Sequence, residues 1–358
     1  MLNNRKTTRE IHVGSIKIGN KHPIVIQSMT NTKTENVEET VKQIKDLQDK
    51  GCQIVRIAVP TLAAAKNIAQ IKSQVNIPLV ADIHFDYKLA LVAMENGIDK
   101  VRINPGNIGS KENIIKVVTL AKEKGIPIRI GINGGSLPKD ILEKYDNRPS
   151  AEAMVDAALR EVALLEELDF KDICISIKSS DVLETIKGYT LLSEKVDYPL
   201  HLGITEAGLK DVGTVKSSIG LGVLLYNGIG DTIRVSLTGD PTQEIDVAYN
   251  ILKSLKLPIS IQRSEVISCP TCGRCDVGLE NLAIQVTERL KEFKTPIKVA
   301  VMGCVVNGPG EAKECDYGIA GGKGKGVIFK KGSILKTVPE EHLVEELFAI
   351  VKGDFLDK

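Results

Sequence analysis

Between residues 24 and 257, short apolar runs rich in β-branched residues alternate with longer segments whose apolar positions recur every three or four residues. This alternation predicts parallel strands joined by crossover helices. The strand-like runs are 24–29, 54–59, 78–83, 100–105, 127–132, 172–178, 199–204 and 232–237. Eight such units predict an α/β fold closed into a (β/α)₈ TIM barrel.

The segments between the strands carry helix patterns and helix end signals. In segment 36–51 the apolar side chains share one helical face, and Gly51 is placed to end the helix. Gly97 and Gly125 are placed to end two later helices. The repeat is interrupted at residues 134–150, which predict a long loop at the carboxyl end of the barrel, where active sites of this architecture lie.

After residue 257 the pattern changes, so we expect a barrel domain over 1–257 and a small α+β domain over 258–358. Segments 279–293 and 297–303 predict a helix and a strand. The glycine-rich segment 318–333 lacks the GxxxxGK[ST] spacing of a phosphate loop, which favours a β-hairpin turn.

Composition narrows the possible partners. The 358 residues include 47 Lys and Arg against 46 Asp and Glu, a net charge of +1, which gives no basic excess for nucleic acid. The amino-terminal residues are polar, and the long apolar stretch 219–230 is broken by glycine and shorter than the ~20 residues of a membrane span. We therefore expect a cytoplasmic protein that binds neither nucleic acid nor a membrane.

Polar side chains occupy one parity of almost every predicted strand, whereas the opposite parity is apolar. A typical barrel lumen is filled by Val, Ile and Leu, so here the apolar set must face the helices and the polar set the barrel axis. The polar set is Gln27, Arg56, Asp82, His84, Arg102, Asn104, Arg129, Asn133, Ser176, Lys178, His201, Arg234 and Ser236.

Five of these side chains are cations: Arg56, Arg102, Arg129, Lys178 and Arg234. Buried cations repel one another and are costly unless they are paired. The acids near them in sequence are Asp82, Glu206 and Asp240. The surplus predicts an anionic ligand, because Arg forks match phosphate oxygens.

Two other interpretations of this lumen stay open. The Arg and Asp side chains could form a network that only stabilises the barrel. Lys178 could form a Schiff base, because a desolvated lysine beside other cations has a lowered pKa. His84 and His201 are expected to be hydrogen-bonded spacers, since no second histidine stands near either at metal-ligand spacing.

Five of the seven cysteines lie between residues 269 and 315. Cys269, Cys272 and Cys275 recur at two-residue intervals, a spacing that fits an iron–sulfur cluster or structural zinc. Spacing alone nominates Cys304 as the fourth ligand. An odd number of cysteines and the absence of a secretion signal argue against disulfides.

The strings CPTCGR and MGCVVNGPGE resemble the bacterial 4-hydroxy-3-methylbut-2-enyl diphosphate synthase family, in its short two-domain form. The barrel strings QSMTNT, VRINPGN, RIGINGGSL and IRVSLTGDP match it as well, so the resemblance covers nearly the whole chain. It implies reductive ring opening of 2-C-methyl-D-erythritol 2,4-cyclodiphosphate, with loss of water, to the allylic diphosphate.

The resemblance also implies a ligand set that differs from the one suggested by spacing. It implies a [4Fe-4S] cluster held by Cys269, Cys272, Cys304 and Glu311, with Cys275 left out. A carboxylate binds a cluster iron less firmly than a thiolate, so that iron can exchange Glu311 for a substrate oxygen.

The remaining implied roles complete the reaction. Arg56, Arg102, Arg129, Lys178 and Arg234, with Asn133 and Ser236 as neutral donors, would hold the diphosphate. Glu206 is the candidate proton donor, unless it only pairs with a lumen arginine, and Asn307 would position the substrate. A flavodoxin or ferredoxin would supply electrons, in a head-to-tail homodimer whose cluster domains each close over the partner's barrel.

Two alternatives of other classes remain at this point. A Schiff-base lyase with a structural zinc site would be colourless and would be trapped at Lys178 by borohydride. A non-catalytic iron–sulfur scaffold would tolerate alanine in place of the lumen arginines, except for stability.

Overall fold

The eight apolar runs of the first part of the chain form the parallel strands of one sheet. In the computed structural model, which describes residues 5–259, 261–304, 310 and 312–356, these strands belong to a compact unit, Met1–Ser260. They are β3 (Val25–Met29), β4 (Ile54–Ala58), β5 (Leu79–Asp82), β6 (Lys100–Ile103), β7 (Ile128–Asn133), β8 (Ile173–Lys178), β9 (His201–Leu202) and β10 (Thr232–Ile233). Their order is β8-β7-β6-β5-β4-β3-β10-β9, and a parallel bridge between Ile175 and Leu200 joins the two ends. The predicted TIM barrel is confirmed.

Helices surround this barrel in the order that the pattern predicts. They are α1 (Val37–Asp49), α2 (Leu62–Lys72), α3 (Tyr87–Glu95), α4 (Lys111–Lys124), α5 (Lys139–Lys144), α6 (Ala151–Glu167), α7 (Val182–Lys195), α8 (Lys210–Tyr226) and α9 (Thr242–Ser254). Gly51, Gly97 and Gly125 have positive φ angles of 90°, 83° and 63° directly after helices, as expected for helix stops. The segment 134–150 is not wholly a loop, because it contains a 3₁₀ turn, Gly134–Ser136, and the short helix α5.

A hairpin that the sequence pattern did not reveal precedes the barrel. Its strands, β1 (Ile11–Val13) and β2 (Ile16–Ile18), pair antiparallel. Ile11, Val13 and Ile18 pack in one buried cluster with the side chains of Val25, Ile54, Val80 and Cys174, which lie at the amino ends of barrel strands. The hairpin therefore closes the amino-terminal end of the lumen, and any ligand must enter at the carboxyl end.

The second compact unit, Ile261–Lys358, is an α+β fold. Its elements are β11 (Glu265–Ser268), α10 (Leu279–Leu290), β12 (Lys298–Met302), β13 (Tyr317–Gly322), β14 (Lys325–Lys330), β15 (Ser333–Pro339) and α11 (Leu343–Leu356). The sheet order is β11-β12-β13-β14-β15, parallel over the first three strands and antiparallel over the last three. The glycine-rich segment forms the β13–β14 hairpin, as predicted, with Gly324 at φ 68° in its turn.

Among the residues that the structure describes, no helix combines the length and apolar composition required to cross a membrane.

Candidate active site

One parity of the barrel strands faces the lumen, and the other packs against the helices. Val55, Ile57, Val101 and Ile103 belong to the apolar core between strands and helices. The opposite parity lines a cavity of about 220 Å³. Its lining is Arg56, Asp82, His84, Arg102, Arg129, Asn133, Ser176, Lys178, Thr205, Glu206, Arg234 and Ser236. All seven residues predicted to bind the diphosphate, and the predicted proton donor Glu206, thus lie around one cavity.

Asp82 is the carboxylate inside this cavity that contacts several cations. Its Oδ1 lies 3.3 Å from Nη1 of Arg102 and 3.8 Å from Nη1 of Arg56, and its Oδ2 lies 3.4 Å from Nε2 of His84. Burial alone would raise the pKa of Asp82, but Arg56, His84 and Arg102 outweigh burial and lower it. Asp82 is therefore ionised and offsets one of the buried positive charges.

Glu244, on α9, is the acid that sequence reasoning missed. Its carboxylate accepts from Nε and Nη2 of Arg234, each at 3.3 Å, and from the Ser28 hydroxyl at 2.7 Å. Asp240, another acid near these cations in sequence, does not line the cavity, and its Oδ1 accepts from the backbone N–H of Thr242. Glu244 directly precedes Ile245, and both are buried residues of α9. An acid among the apolar positions of this helix is the sequence feature that could have identified it.

The remaining cations have no carboxylate of their own among the described residues. Arg129 is 1% exposed, and burial followed by the neighbouring charge of Arg102 lowers its pKa to about 10. Burial, followed by Arg129 and Arg56, lowers the pKa of Lys178 well below its usual value. Five cations facing two buried carboxylates leave a positive surplus, so the cavity is complementary to a polyanion.

Two glycines at lumen positions make room for these long side chains. A Cβ on Gly203 would lie 2.5 Å from Nζ of Lys178, and a Cβ on Gly131 would lie 2.9 Å from Cζ of Arg102. Nη2 of Arg102 donates to the Gly131 carbonyl at 2.9 Å, which fixes the guanidinium against the wall. The absence of side chains at 131 and 203 thus sets where two cations lie.

Glu206 lies where the backbone leaves β9, with an exposed side chain and a φ of 53°. A left-handed conformation is unfavourable for a non-glycine residue and persists where the surroundings impose it. No ion pair or hydrogen bond of Glu206 is found among the described residues, so pairing with a lumen arginine is not observed. Its carboxylate is free to act on a ligand in the cavity.

In the second unit, four of the five cysteines follow the carboxyl ends of β11 and β12. Cys269 directly follows β11 and Cys304 follows β12, and these strands pair in parallel with Ser268 opposite Val301. The carboxyl ends of neighbouring parallel strands meet at one edge. The Gly303 N–H donates to Sγ of Cys269 at 3.2 Å, which brings the two segments into direct contact.

Cys272 and Cys275 lie in the turn that follows β11. The thiol of Cys272 is exposed, and hydrogen bonds from Arg274 lower its pKa, which favours the ligating thiolate. The thiol of Cys275 instead donates to the Val277 carbonyl at 3.3 Å and lies where a Cβ on Gly303 would meet it at 2.7 Å. Cys275 therefore has a packing role that does not depend on a metal.

The other predicted residues of this unit are only partly observable. Asn307 and Glu311 lie outside the described residues. Cys315 is buried in a small apolar cluster with Met302 and Phe329. Within the described ranges, no three His, Cys, Asp or Glu side chains are already arranged as a metal site. The donor chemistry nevertheless fits an iron–sulfur cluster, because the two adjoining loops carry four cysteines, Cys269, Cys272, Cys275 and Cys304, and no histidine.

Two family models match this chain. The GcpE TIM-barrel domain matches residues 8–249, and the GcpE protein C-terminal domain matches residues 265–353. Together they cover both units of the fold.

Curated relatives match along nearly the whole chain. A protein of Caldanaerobacter subterraneus subsp. tengcongensis is 62% identical, with 97% of each chain covered. A protein of Clostridium perfringens is 59% identical, with 98% of this chain and 99% of the relative covered. Both relatives are named 4-hydroxy-3-methylbut-2-en-1-yl diphosphate synthase (flavodoxin).

Two solved structures align with about 70% of this chain at low sequence identity. Dihydropteroate synthase from Stenotrophomonas maltophilia aligns with a TM-score of 0.51 at 11% identity, over 70% of this chain and 100% of that one. 3-Dehydroquinate dehydratase from Geobacillus kaustophilus aligns with a TM-score of 0.50 at 14% identity, over 70% of this chain and 98% of that one. At such identities the likeness concerns fold and not chemistry.

The Glu244–Arg234 pair generates a stability prediction. Replacing Glu244 by Gln turns an amide N–H₂ toward groups that already donate, and it leaves Arg234 without a buried counter-charge. We expect the free energy of unfolding to fall by about 3 kcal/mol, as is typical when one partner of a buried ion pair is removed. Urea unfolding followed by circular dichroism measures the change.

Asp246→Asn on the same helix is the matched control, because Asp246 is half exposed and 3.9 Å from Nζ of Lys50. An exposed pair of this kind contributes about 0 to 1 kcal/mol. Equal effects of the two substitutions would show that Glu244 does not compensate Arg234.

Proposed function

The chain belongs to the GcpE family, and we propose that it catalyses the reductive ring opening of 2-C-methyl-D-erythritol 2,4-cyclodiphosphate to the allylic diphosphate in isoprenoid precursor biosynthesis. The observation that carries the proposal is the cation-lined cavity at the carboxyl end of the barrel. The alternative of a Schiff-base lyase with structural zinc is not supported, because the relatives are diphosphate synthases along the whole chain.

The cavity side chains would bind and orient the cyclic diphosphate. Arg56 and Arg102 present guanidinium groups on one side of Asp82, while Arg129 and Lys178 have no carboxylate partner among the described residues. Asn133 and Ser236 add neutral donors at the ends of their strands. Fixed donors of this kind stabilise negative charge that develops on a leaving diphosphate oxygen, without the cost of reorienting solvent.

Arg234 would act from a fixed position. Glu244 holds its Nε and Nη2, and its Nη1 lies 3.9 Å from Sδ of Met29, so the guanidinium cannot rotate freely where it lines the cavity. Glu206, on the exposed rim, would hold the proton needed when water leaves the substrate. The hairpin below the lumen keeps bulk water from the opposite end.

The second unit would hold a [4Fe-4S] cluster through Cys269, Cys272, Cys304 and Glu311. Support comes from the two adjoining loops that carry the thiols and from the resemblance in the CPTCGR and MGCVVNGPGE strings. When bound, such a cluster supplies electrons one at a time for a two-electron reduction. Asn307, in the same segment as Glu311, would position the substrate.

Flavodoxin is the proposed electron donor, as the relatives' name indicates for them, with ferredoxin as the other candidate. We also propose a head-to-tail homodimer. Support comes from an exposed apolar face on α8, where Val212, Val215, Ile219 and Tyr226 recur at helical spacing and are each more than half exposed. An exposed apolar stripe of this length is typical of a protein interface.

The substrate-binding role predicts the behaviour of Arg56→Gln. Asp82 keeps Arg102 and His84 as neighbours in this variant, so the barrel should stay folded. Loss of charge-assisted hydrogen bonds worth about 1.5 to 3 kcal/mol should weaken pyrophosphate binding about 10- to 100-fold. Isothermal titration with inorganic pyrophosphate measures this directly, and kcat/KM for the cyclic diphosphate should fall at least as far.

Arg160→Gln is the control, because Arg160 is a surface side chain paired with Asp140. Unchanged pyrophosphate affinity in Arg56→Gln would mean that the cationic lumen only stabilises the barrel.

The cluster proposal predicts metal content. Protein purified without oxygen should contain about four irons and four sulfides per chain. Serine at Cys269, Cys272 or Cys304 should abolish this content, whereas Cys275→Ser should retain it. Glu311→Ala should leave a coloured cluster with little turnover. Zinc in place of iron, or equal loss in Cys275→Ser, would overturn the ligand assignment.

The homodimer predicts a coupling between assembly and activity. Ile219→Lys places a charge in the apolar face of α8 and should yield monomers that have lost activity, as measured by light scattering and turnover. Asp211→Lys, an exposed polar position on the same helix, should remain dimeric. A fully active monomer would contradict the proposal.

A further inference from the structure

A second polar layer lies in the barrel below the cavity. Gln27, Lys100, Arg129 and His201 face the lumen from β3, β6, β7 and β9, and each is at most 1% exposed. Lys100 and His201 are the first residues of their strands, so they lie nearer the amino-terminal end than the cavity residues that follow them. Only Arg129 also lines the cavity. We call these four residues the floor layer.

The four side chains surround the barrel axis. In the closed strand order, β3 is three strands from β6 and four from β7, so Gln27 lies across the lumen from Lys100 and Arg129. His201, on β9, lies between these two walls. Burial, followed by the charges of Lys178, Arg129 and Lys100, lowers the pKa of His201 well below its usual value.

Six polar atoms of the floor layer are buried without hydrogen-bond partners among the described residues. These atoms are Nζ of Lys100, Nε and Nη1 of Arg129, Nε2 of His201, and both Nε2 and Oε1 of Gln27. Such atoms are costly to bury and normally have a partner. Five nitrogens face the lumen here against one oxygen.

The Nε2 atom of His201 is one of these donors. Its Nδ1 lies 2.7 Å from the Thr232 hydroxyl, and its lowered pKa makes the ring neutral at pH 7. When the hydroxyl donates to Nδ1, the proton of the neutral ring resides on Nε2. Nε2 then donates into the floor layer.

The charges of Lys100 and Arg129 also indicate an anionic ligand in the floor layer. Burial lowers the pKa of Lys100 to about 8 and that of Arg129 to about 10, so both remain mainly charged at pH 7. No carboxylate contacts either side chain among the described residues. The register partners of Lys100 and Arg129 are Val80 and Cys174, which belong to the buried cluster at the amino-terminal end, and burial raises the pKa of the Cys174 thiol and keeps it neutral. Two cations beside uncharged side chains call for a negative counter-charge.

We propose that the floor layer binds a small monovalent inorganic anion of halide size, separate from the diphosphate above it. Such an ion accepts from several converging donors and offers no proton, which matches the surplus of nitrogens. A water molecule would satisfy at most two of these donors as an acceptor and would leave the charge uncompensated. The diphosphate is not the ligand here, since three of the four residues do not line its cavity. The proposal does not depend on the catalysed reaction.

Bromide is the probe. Crystals of the full chain soaked in sodium bromide should show an anomalous scattering peak enclosed by Lys100, Arg129 and His201. In solution, bromide should raise the thermal unfolding midpoint by about 2 to 4 °C over gluconate at equal ionic strength, for an ion present well above its dissociation constant. Ordered water without an anomalous peak at this position would overturn the proposal.

Lys100→Met should abolish both the peak and the bromide-specific rise, and Lys171→Met, at a surface lysine, should change neither. Gln27→Leu provides a second variant with one donor fewer, in which the rise should shrink. A rise of equal size in Lys100→Met and the native chain would place the ion elsewhere and refute the proposal.

Discussion

The burial of several cations in a closed barrel is the constraint on which the rest of this structure depends. A low-dielectric lumen penalises each unpaired charge, so the cations that strand parity places inward require counter-charges. Asp82 and Glu244 each neutralise part of the charge, one from a strand and one from a helix. Glycine at 131 and 203 gives two of the long side chains their space. The hairpin β1–β2 then seals the amino-terminal end, so the surplus charge can be compensated only from within or from the carboxyl end.

The cysteine unit depends on a different constraint, which is the parallel pairing of β11 with β12. This register brings the residues after two strands to the same edge, although Cys269 and Cys304 are 35 residues apart in sequence. Gly303 fits between Cys269 and Cys275 because it has no side chain. Cys275 lies next to the predicted ligands in sequence, but its thiol donates a hydrogen bond to the Val277 carbonyl. A carboxylate ligand can take the fourth position only if that neighbouring thiol is kept out of it.

Much of the barrel could be predicted from the sequence because strand parity is a local property. The alternation around Arg56, Arg102 and Arg129 is sufficient to predict that these side chains face the lumen. The features that the sequence did not predict depend on contacts between residues far apart in the chain. Glu244 lies on a helix, and its partner Arg234 is identified only when α9 packs against β3, the strand beside β10. The β1–β2 hairpin has strands of three residues, too short for a periodic signal. The strand-like run 199–204 shrinks to His201–Leu202, because pairing partners and not propensity decide where a strand ends. The cluster ligands stay a prediction.

The charge constraint also explains why the lumen is layered. A single ligand entering from the carboxyl end can neutralise the side chains that line the cavity, but Lys100 and His201, the first residues of β6 and β9, do not line it. Arg129 belongs to both layers, since it lines the cavity while its Nε and Nη1 are buried without partners. Its orientation therefore depends on what lies beneath it. A counter-charge at the floor would hold Arg129 in place before a diphosphate arrives, so that less ordering remains to be done when the ligand binds.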